Sequence, residues 1–340
     1  MSFSNTFDTT NQGSAVSNRE DLTDVLSILA PEETPILSSA SKQKASATFV
    51  EWTVDKLADV SISGISEGAD VTAFTDKFAG RAKLGNRVQK FRRDYMVSDM
   101  QDAVDSVGPA KIAQAEAKSI RELKRDIEGA ISGRQDSTTE NGAGTPNALR
   151  GLSRWLGAGN GGLIPAAPTD IPADYRTPDG NNSILGSAYT ETELNSQISS
   201  IFRETGTVDD LMLIADTSLR TQISDFARFG VDGGANAGVR SVNYDGNSST
   251  IKLSVELYQS DHGIVSVVNM NPACAPSVTN GDTGNNQDGL LVNPEYYGVH
   301  ELIPMGSTRL PNLGGGERGF VDCALTLGVY HPRAHGQIVT

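Results

Sequence analysis

The stretch from Pro109 to Ser132 constrains the fold most, because Ile112, Ile120, Leu123, Ile127 and Ile131 recur at helical spacing with Ala113, Ala117 and Ala130 between them. Pro109 suits a first helical turn, where a missing N–H leaves nothing unbonded, and Gly133 suits the stop. At ~1.5 Å per residue such a helix is roughly 36 Å long. Its apolar stripe needs a surface of similar length to cover it. Lys118/Glu122 and Lys124/Glu128 are spaced as i,i+4 pairs on the wet face. The helix reads as a domain's spine, with Ile120, Leu123 and Ile127 facing a sheet of C-terminal strands.

Upstream, residues 48–54 alternate, with Val50, Trp52 and Val54 on one face and Phe49, Glu51 and Thr53 on the other, as a strand requires. A second alternating run spans residues 81–96, with Arg81, Lys83, Arg87 and Arg93 on one face and Ala82, Leu84 and Val88 on the other. Between them lies a long, polar, Gly-containing excursion around Gly64–Asp70. Residues 46–95 are therefore expected to form an extended hairpin standing away from a core. Isolated hairpins are marginal in water, so a neighbouring subunit is its natural support, with Val50, Trp52 or Val54 buried there.

Residues 1–13 are polar and read as an arm that orders on a partner. Asn18 opens a short helical pattern carrying Leu22, Val25, Leu26 and Leu29, closed by Pro31 and acidic through Asp21, Asp24, Glu32 and Glu33. Residues 134–187 are rich in Gly, Pro, Asn and Thr and read mostly as loop. A Thr190–Glu193 capping box opens a helix through Leu194, Ile198, Ile201 and Phe202, which Gly206 closes. Leu211–Ala215 is a buried-strand candidate, followed by a helix over 218–228 capped by Asp216. Strands are expected near 239–244, 251–258 and 264–269, making residues 190–276 an α/β lobe, and the tail returns to strands at 290–292, 297–303 and 320–330. The class is α+β.

The 340 residues carry 28 Lys+Arg against 42 Asp+Glu, a net charge of −14 that argues against a sequence-specific binder of phosphate backbones. It is compatible with a container whose inner wall must not adhere to the polymer inside. Cys274 and Cys323 lack metal or disulfide spacing, which fits synthesis in a reducing cytoplasm. The longest purely apolar run, Leu211–Ala215, is far short of the ~18–20 residues a membrane helix needs.

Motifs for chemistry are weak. Gly157–Gly162 and Gly314–Gly319 match GxGxxG, but neither follows a strand and opens a helix, so both read as loops. Asp245, Asn247, Ser249 and Glu256 imitate a calcium loop, yet Thr250 stands where glycine is needed, and a turn at Asp245-Gly246 explains them better. His331 and His335 stand four apart around Pro332 and read as ordinary surface histidines. No Gly-x-Ser-x-Gly elbow is present. No catalytic residue, cofactor or metal site is assigned. The basic residues Arg81, Lys83 and Arg87 are either a solvated face or a surface that meets an acidic neighbour, with Glu20, Asp21, Asp24, Glu32 and Glu33 as partner candidates.

Several segments, in this order and spacing, resemble the major head proteins of tailed bacteriophages: Leu29-Ala-Pro-Glu-Glu-Thr-Pro-Ile, Phe49-Val-Glu-Trp-Thr-Val-Asp, Glu67-Gly-Ala-Asp, Glu122-Leu-Lys-Arg-Asp-Ile-Glu, Ser260-Asp-His-Gly-Ile-Val and His331-Pro-Arg-Ala-His-Gly-Gln-Ile. The resemblance implies the Hong Kong 97 capsid fold. It maps onto an N-terminal arm (1–45), an extended hairpin loop (46–95), a peripheral domain (96–189, with the spine helix 109–132), an axial domain (190–276) and the rest of the peripheral domain (277–340). It also implies self-assembly into hexamers and pentamers of an icosahedral head around double-stranded DNA read without sequence specificity, in the host bacterial cytoplasm, with a portal protein and possible decoration protein but no membrane. Only about 40 residues precede the hairpin, so the expected scaffold is a separate protein. Intersubunit contact candidates are Val50, Trp52, Val54, Arg81, Lys83 and Arg87. Lys56, Lys77 and Asn86 have the residue types of a lysine–asparagine crosslink, a composition too common to assign one. An encapsulin-type nanocompartment shell is the alternative sharing this fold, and an enzyme on the α/β lobe is the rival from another class, lacking convergent carboxylates or a phosphate loop.

Overall fold

The computed structural model describes residues 33–104, 111–142, 144–158, 164, 166–184, 189–208, 210–226, 256–271 and 287–339. In chain order the elements are α1 (Pro35–Ser39), β1 (Ser41–Lys44), β2 (Phe49–Val54), β3 (Ala82–Arg87), β4 (Gln89–Val97), α2 (Asp99–Ala103), α3 (Lys111–Ser132), α4 (Leu152–Trp155), β5 (Asn182–Ile184), α5 (Glu191–Thr205), β6 (Leu211–Ala215), α6 (Thr217–Asp225), β7 (Leu257–Ser260), β8 (Gly263–Asn269), β9 (Gln287–Val292), β10 (Tyr297–Leu310), β11 (Glu317–Val329) and β12 (Gly336–Val339). The expected strand at 239–244, the Asp245 turn, the glycines at 159, 161 and 162, Cys274, Pro109 and the arm through Glu32 lie outside the described residues.

Two sheets carry the fold. The first has the order β1-β10-β11-β4, and the second the order β5-β12-β9-β6-β8-β7. The spine helix α3 lies on β4 and β11. Leu123, Ile127 and Ile131 are fully buried against Phe91, Val321, Cys323 and Leu325 in one core, with Ile120 packed at its margin. Burial pushes the Cys323 thiol up to about 12, which leaves it an inert apolar filler.

The second sheet shows why Leu211–Ala215 is continuously apolar. Leu211, Leu213 and Ala215 face the helices α5 and α6, while Met212 and Ile214 face the first core, so both faces of β6 are covered. The Thr190/Glu193 capping box forms as expected, and Gly206 closes α5 in the left-handed region (φ 76°). Asp216 occupies the N-cap of α6 without a side-chain cap bond.

Four expectations need correction. Residues 81–96 are not one strand with one partner: β3 pairs with β2, whereas β4 pairs with β11, and the exchange occurs at Val88. The tail divides between sheets, with β10 and β11 in the first and β9 and β12 in the second. His335 is fully buried, accepting the Asn293 N–H at 3.1 Å; burial lowers its pKa to about 3, so the ring is neutral. His331 is partly buried. Finally, Lys118 pairs with Glu122 at 3.8 Å, but Glu128 is not on the wet face. It is 2% exposed and accepts the N–H groups of Ile36 (2.9 Å) and Leu37 (2.8 Å), which fastens α1 to the spine. Burial pushes this carboxyl up to about 7 against the pull of the two N–H groups.

Candidate assembly interface

The hairpin root is a two-stranded antiparallel ribbon in which Val50 faces Asn86, Trp52 faces Leu84 and Val54 faces Ala82. Paired residues project to the same side, so these six make one face of the ribbon. That face turns inward. Leu84 and Asn86 are buried, and Trp52 and Val54 pack on the subunit's own core. The Trp52 ring sits 5.7 Å from Trp155, stacks on His300 at 6.5 Å and meets Tyr330 edge-on at 6.0 Å. Tyr330 Oη and His300 Nε2 are 3.1 Å apart, and burial lowers the pKa of the imidazole. Trp52 thus has an intrachain place that the alternation of β2 alone does not reveal.

Asn86 fixes the ribbon's angle. Its Nδ2 donates to Leu327 O (2.8 Å) and Arg150 O (3.0 Å), and its Oδ1 accepts from Arg87 N (2.9 Å) and Arg150 N (2.7 Å). The β4–β11 ladder runs only as far as Gln89 and Leu325, so the Asn86 amide takes up a β11 carbonyl beyond that strand's end. This full set of bonds at 0% exposure makes Asn86 a structural anchor, not a crosslink partner. Arg150 is held in turn by Asp136 (2.7 Å) and by both oxygens of Asp170 (2.9 and 3.0 Å).

The outward face carries Phe49, Glu51 and Thr53 opposite Arg87, Gly85 and Lys83. The Arg87 guanidinium lies 5.0 Å over the Phe49 ring, and Lys83 is exposed. Just beyond the ribbon, Arg81 Nε meets Asp55 Oδ2 at 2.8 Å while its guanidinium covers Phe78 at 4.0 Å. The hydrogen bond from Arg81 is the main influence holding the Asp55 carboxyl below its ordinary pKa. Of the expected acidic partners, Glu33 is exposed, and Glu20, Asp21, Asp24 and Glu32 lie outside the described residues.

Strand pairing stops at Val54 and Ala82, and the limbs then separate around an open cleft of about 770 Å³ lined by residues including Lys56, Leu57, Asp76 and Phe78. The Tyr175 hydroxyl donates to Gly80 O at 2.6 Å and fixes one limb. Beyond it Leu57, Val60, Ile62, Ile65, Val71, Phe74 and Phe78 are 60–96% exposed. The excursion is therefore less polar than its Gly, Ser and Asp content suggests. The alternation Val60-Ser-Ile62-Ser was the available signal. Soluble chains rarely leave so many large apolar side chains together in water unless another surface covers them.

Comparison with known proteins agrees with this architecture. The capsid protein of a native GTA particle aligns over 98% of each chain at 10% identity with a TM-score of 0.61. That of cyanophage P-SCSP1u aligns over 99% of this chain and 98% of its own at 14% identity and 0.58, and a structure from Mycobacterium phage Adephagia over 97% of each at 11% and 0.59. At such identities the likeness shows the shared Hong Kong 97-type fold. No curated protein sequence matches the chain. A family model described as SU10 major capsid protein matches residues 3–340. The chain therefore belongs to the SU10 major capsid protein family, as a shell subunit of an icosahedral phage head.

Proposed function

We propose that copies of this chain close into hexamers and pentamers by laying the excursion 55–81 of one subunit on its neighbour. The observation carrying this reading is the set of seven large apolar side chains that the subunit itself leaves in water. Fully burying one such side chain stabilises by ~1.5–3 kcal/mol, so partial cover of several suffices to hold a contact that the shell repeats many times. Outward-facing Lys83 and Arg87, with Arg81 beside them, set register at the base of that contact, while Val50, Trp52 and Val54 contribute by holding the ribbon at a fixed angle.

The shell encloses double-stranded DNA without reading its sequence, a role with which the charge of −14 is compatible. It assembles in the host cytoplasm on a separate scaffold protein, around a portal, and can take a decoration protein. Its role is mechanical, with no catalytic step. The family match favours a phage head over a nanocompartment. The test is the triple variant Leu57→Ser, Ile62→Ser, Phe74→Ser, made with the scaffold and measured by sedimentation. A folded subunit by circular dichroism with no shells is expected. Shells at wild-type yield would overturn the proposal.

A further inference from the structure

The two edges of the first sheet are defended differently. The β4 edge carries Lys90, Arg92, Arg93 and Asp94, all exposed, and such charges discourage another strand from pairing. At the other edge, β1 pairs with β10 only from Gly298 to Glu301. The β10–β11 ladder is irregular around Pro304, then runs regularly from Gly306 opposite Asp322 to Leu310 opposite Arg318. Over Gly306–Leu310 no strand among the described residues takes up the far side of β10, and all five residues are exposed. Arg309 is the only charge among them. A regular edge of this kind offers alternate N–H and C=O groups to a further strand.

The excursion holds a segment of matching pattern. Ala58, Val60 and Ile62 alternate with Asp59, Ser61 and Ser63, all exposed and none in a strand. The opposite limb does not alternate in this way, since Val71, Ala73 and Phe74 fall on both sides of the period. The β10 edge divides likewise. Cross-strand partners project to the same side, so Ser307 and Arg309 share the spine side with Val321 and Tyr95, whose hydroxyl lies 2.9 Å from Ser307 Oγ. Thr308 and Leu310 share the other side with Phe320. An antiparallel segment with Asp59 opposite Arg309 sets Ala58 opposite Leu310, Val60 opposite Thr308, Ser61 opposite Ser307, and Ile62 opposite Gly306, which has no side chain to crowd it. Polar residues then meet polar ones on the spine side, and apolar residues fall on the other. A parallel alignment with the same charge pair carries Ser61 onto Pro311, where β10 has ended and no N–H is available.

We propose that residues 58–62 of one subunit add as an antiparallel strand to the Gly306–Leu310 edge of a second copy, continuing its first sheet across the subunit boundary. This rests on the reading that the excursion lies on a neighbour, and names where it lands. Val60→Cys with Thr308→Cys, assembled with the scaffold and then oxidised, tests it on a non-reducing gel. The pair is directly opposite, so most of the chain should run as a ladder of linked subunits that reductant collapses, while each single variant stays monomeric. Ser61→Cys with Thr308→Cys, one residue out of register and on the opposite side of the strand, should link severalfold less. Asp59→Arg and Arg309→Asp should each lower shell yield severalfold at low salt and together restore it, with circular dichroism as the folding control; this arm decides the matter if the cysteine pair does not assemble. Shells without a ladder, a link within one chain, equal linking by both pairs, or a charge swap that restores nothing would overturn strand addition. The triple serine variant separates the two readings. If it abolishes shells while the ladder is missing, the excursion lands elsewhere on its neighbour; if it assembles at wild-type yield, the neighbour contact itself is refuted.

Discussion

Replacing Asn86 by alanine removes four hydrogen bonds at a site with no exposure to water. Each is worth ~0.5–1.5 kcal/mol net, and a buried backbone group left without a partner costs a further ~1–3 kcal/mol. Leu327 O and the Arg150 N–H and C=O all stand to be orphaned, though water entering the vacated space recovers part of the loss. The expected cost is about 3–5 kcal/mol, in the range reserved for broken buried networks. The assay is unusually local, because the chain's two tryptophans, Trp52 and Trp155, both sit at the hairpin root, 5.7 Å apart. Denaturant unfolding followed by tryptophan fluorescence reports the root, while circular dichroism reports the whole subunit. Asn86→Ala should lower the fluorescence midpoint well below the dichroism midpoint. Asn86→Asp, which sets a carboxylate against two carbonyl oxygens, should be at least as damaging at neutral pH and should recover in acid. A loss under ~1 kcal/mol with coincident midpoints would mean the ribbon is anchored elsewhere.

Glu128 makes a pH prediction with a definite sign. Its folded pKa of about 7 lies above the ordinary 4.5, so the folded state holds this proton more tightly and the stability linked to it is complete below pH 4.5 and lost as pH rises through 7. The change is on the order of 3 kcal/mol, and the stability difference between wild type and Glu128→Gln should vary with pH by that amount; a difference constant from pH 4.5 to 8 would refute the burial argument. Leu123→Ala, at a fully buried site beneath the first sheet, should cost about 2–5 kcal/mol, and a neutral result would misplace the core face of α3. Lys83→Glu with Arg87→Glu should leave the subunit folded but lower shell yield at low salt, and normal yield there would return this face to plain solvation.

The parts of the fold legible in the sequence were those fixed by local periodicity or chemistry. The α3 stripe, the Thr190/Glu193 box, the Gly206 stop and the doubly buried Leu211–Ala215 strand all depend on residues within one element. What was missed depends on contacts across long sequence distances. Glu128 stands four from Lys124 and so looks like a surface pair, and nothing nearby signals that the amides of Ile36 and Leu37 will fall on it. Alternation in β2 correctly separates two faces but cannot say which turns inward, and the Trp155, His300 and Tyr330 rings that settle it are distant in sequence. Residues 81–96 are extended almost throughout, as expected, and the change of partner at Val88 coincides with a switch of the buried apolar positions from even (Leu84, Val88) to odd (Phe91, Tyr95), which a reading of the run as one strand passes over. His335 sits near the C-terminal end of the sequence, where exposure is the natural expectation, but Asn293 and Tyr297 enclose it.

The central claim is that the excursion 55–81 is completed by another copy of the chain. The most direct measurement is a cryo-electron microscopy structure of the assembled shell, read for the solvent exposure of Leu57, Ile62 and Phe74, which are 91%, 96% and 92% exposed in the single subunit. The account predicts that at least two of the three lie buried against a neighbouring subunit, with Trp52 still stacked on its own His300. Finding all three exposed in the shell, or folded back onto their own subunit, would contradict it.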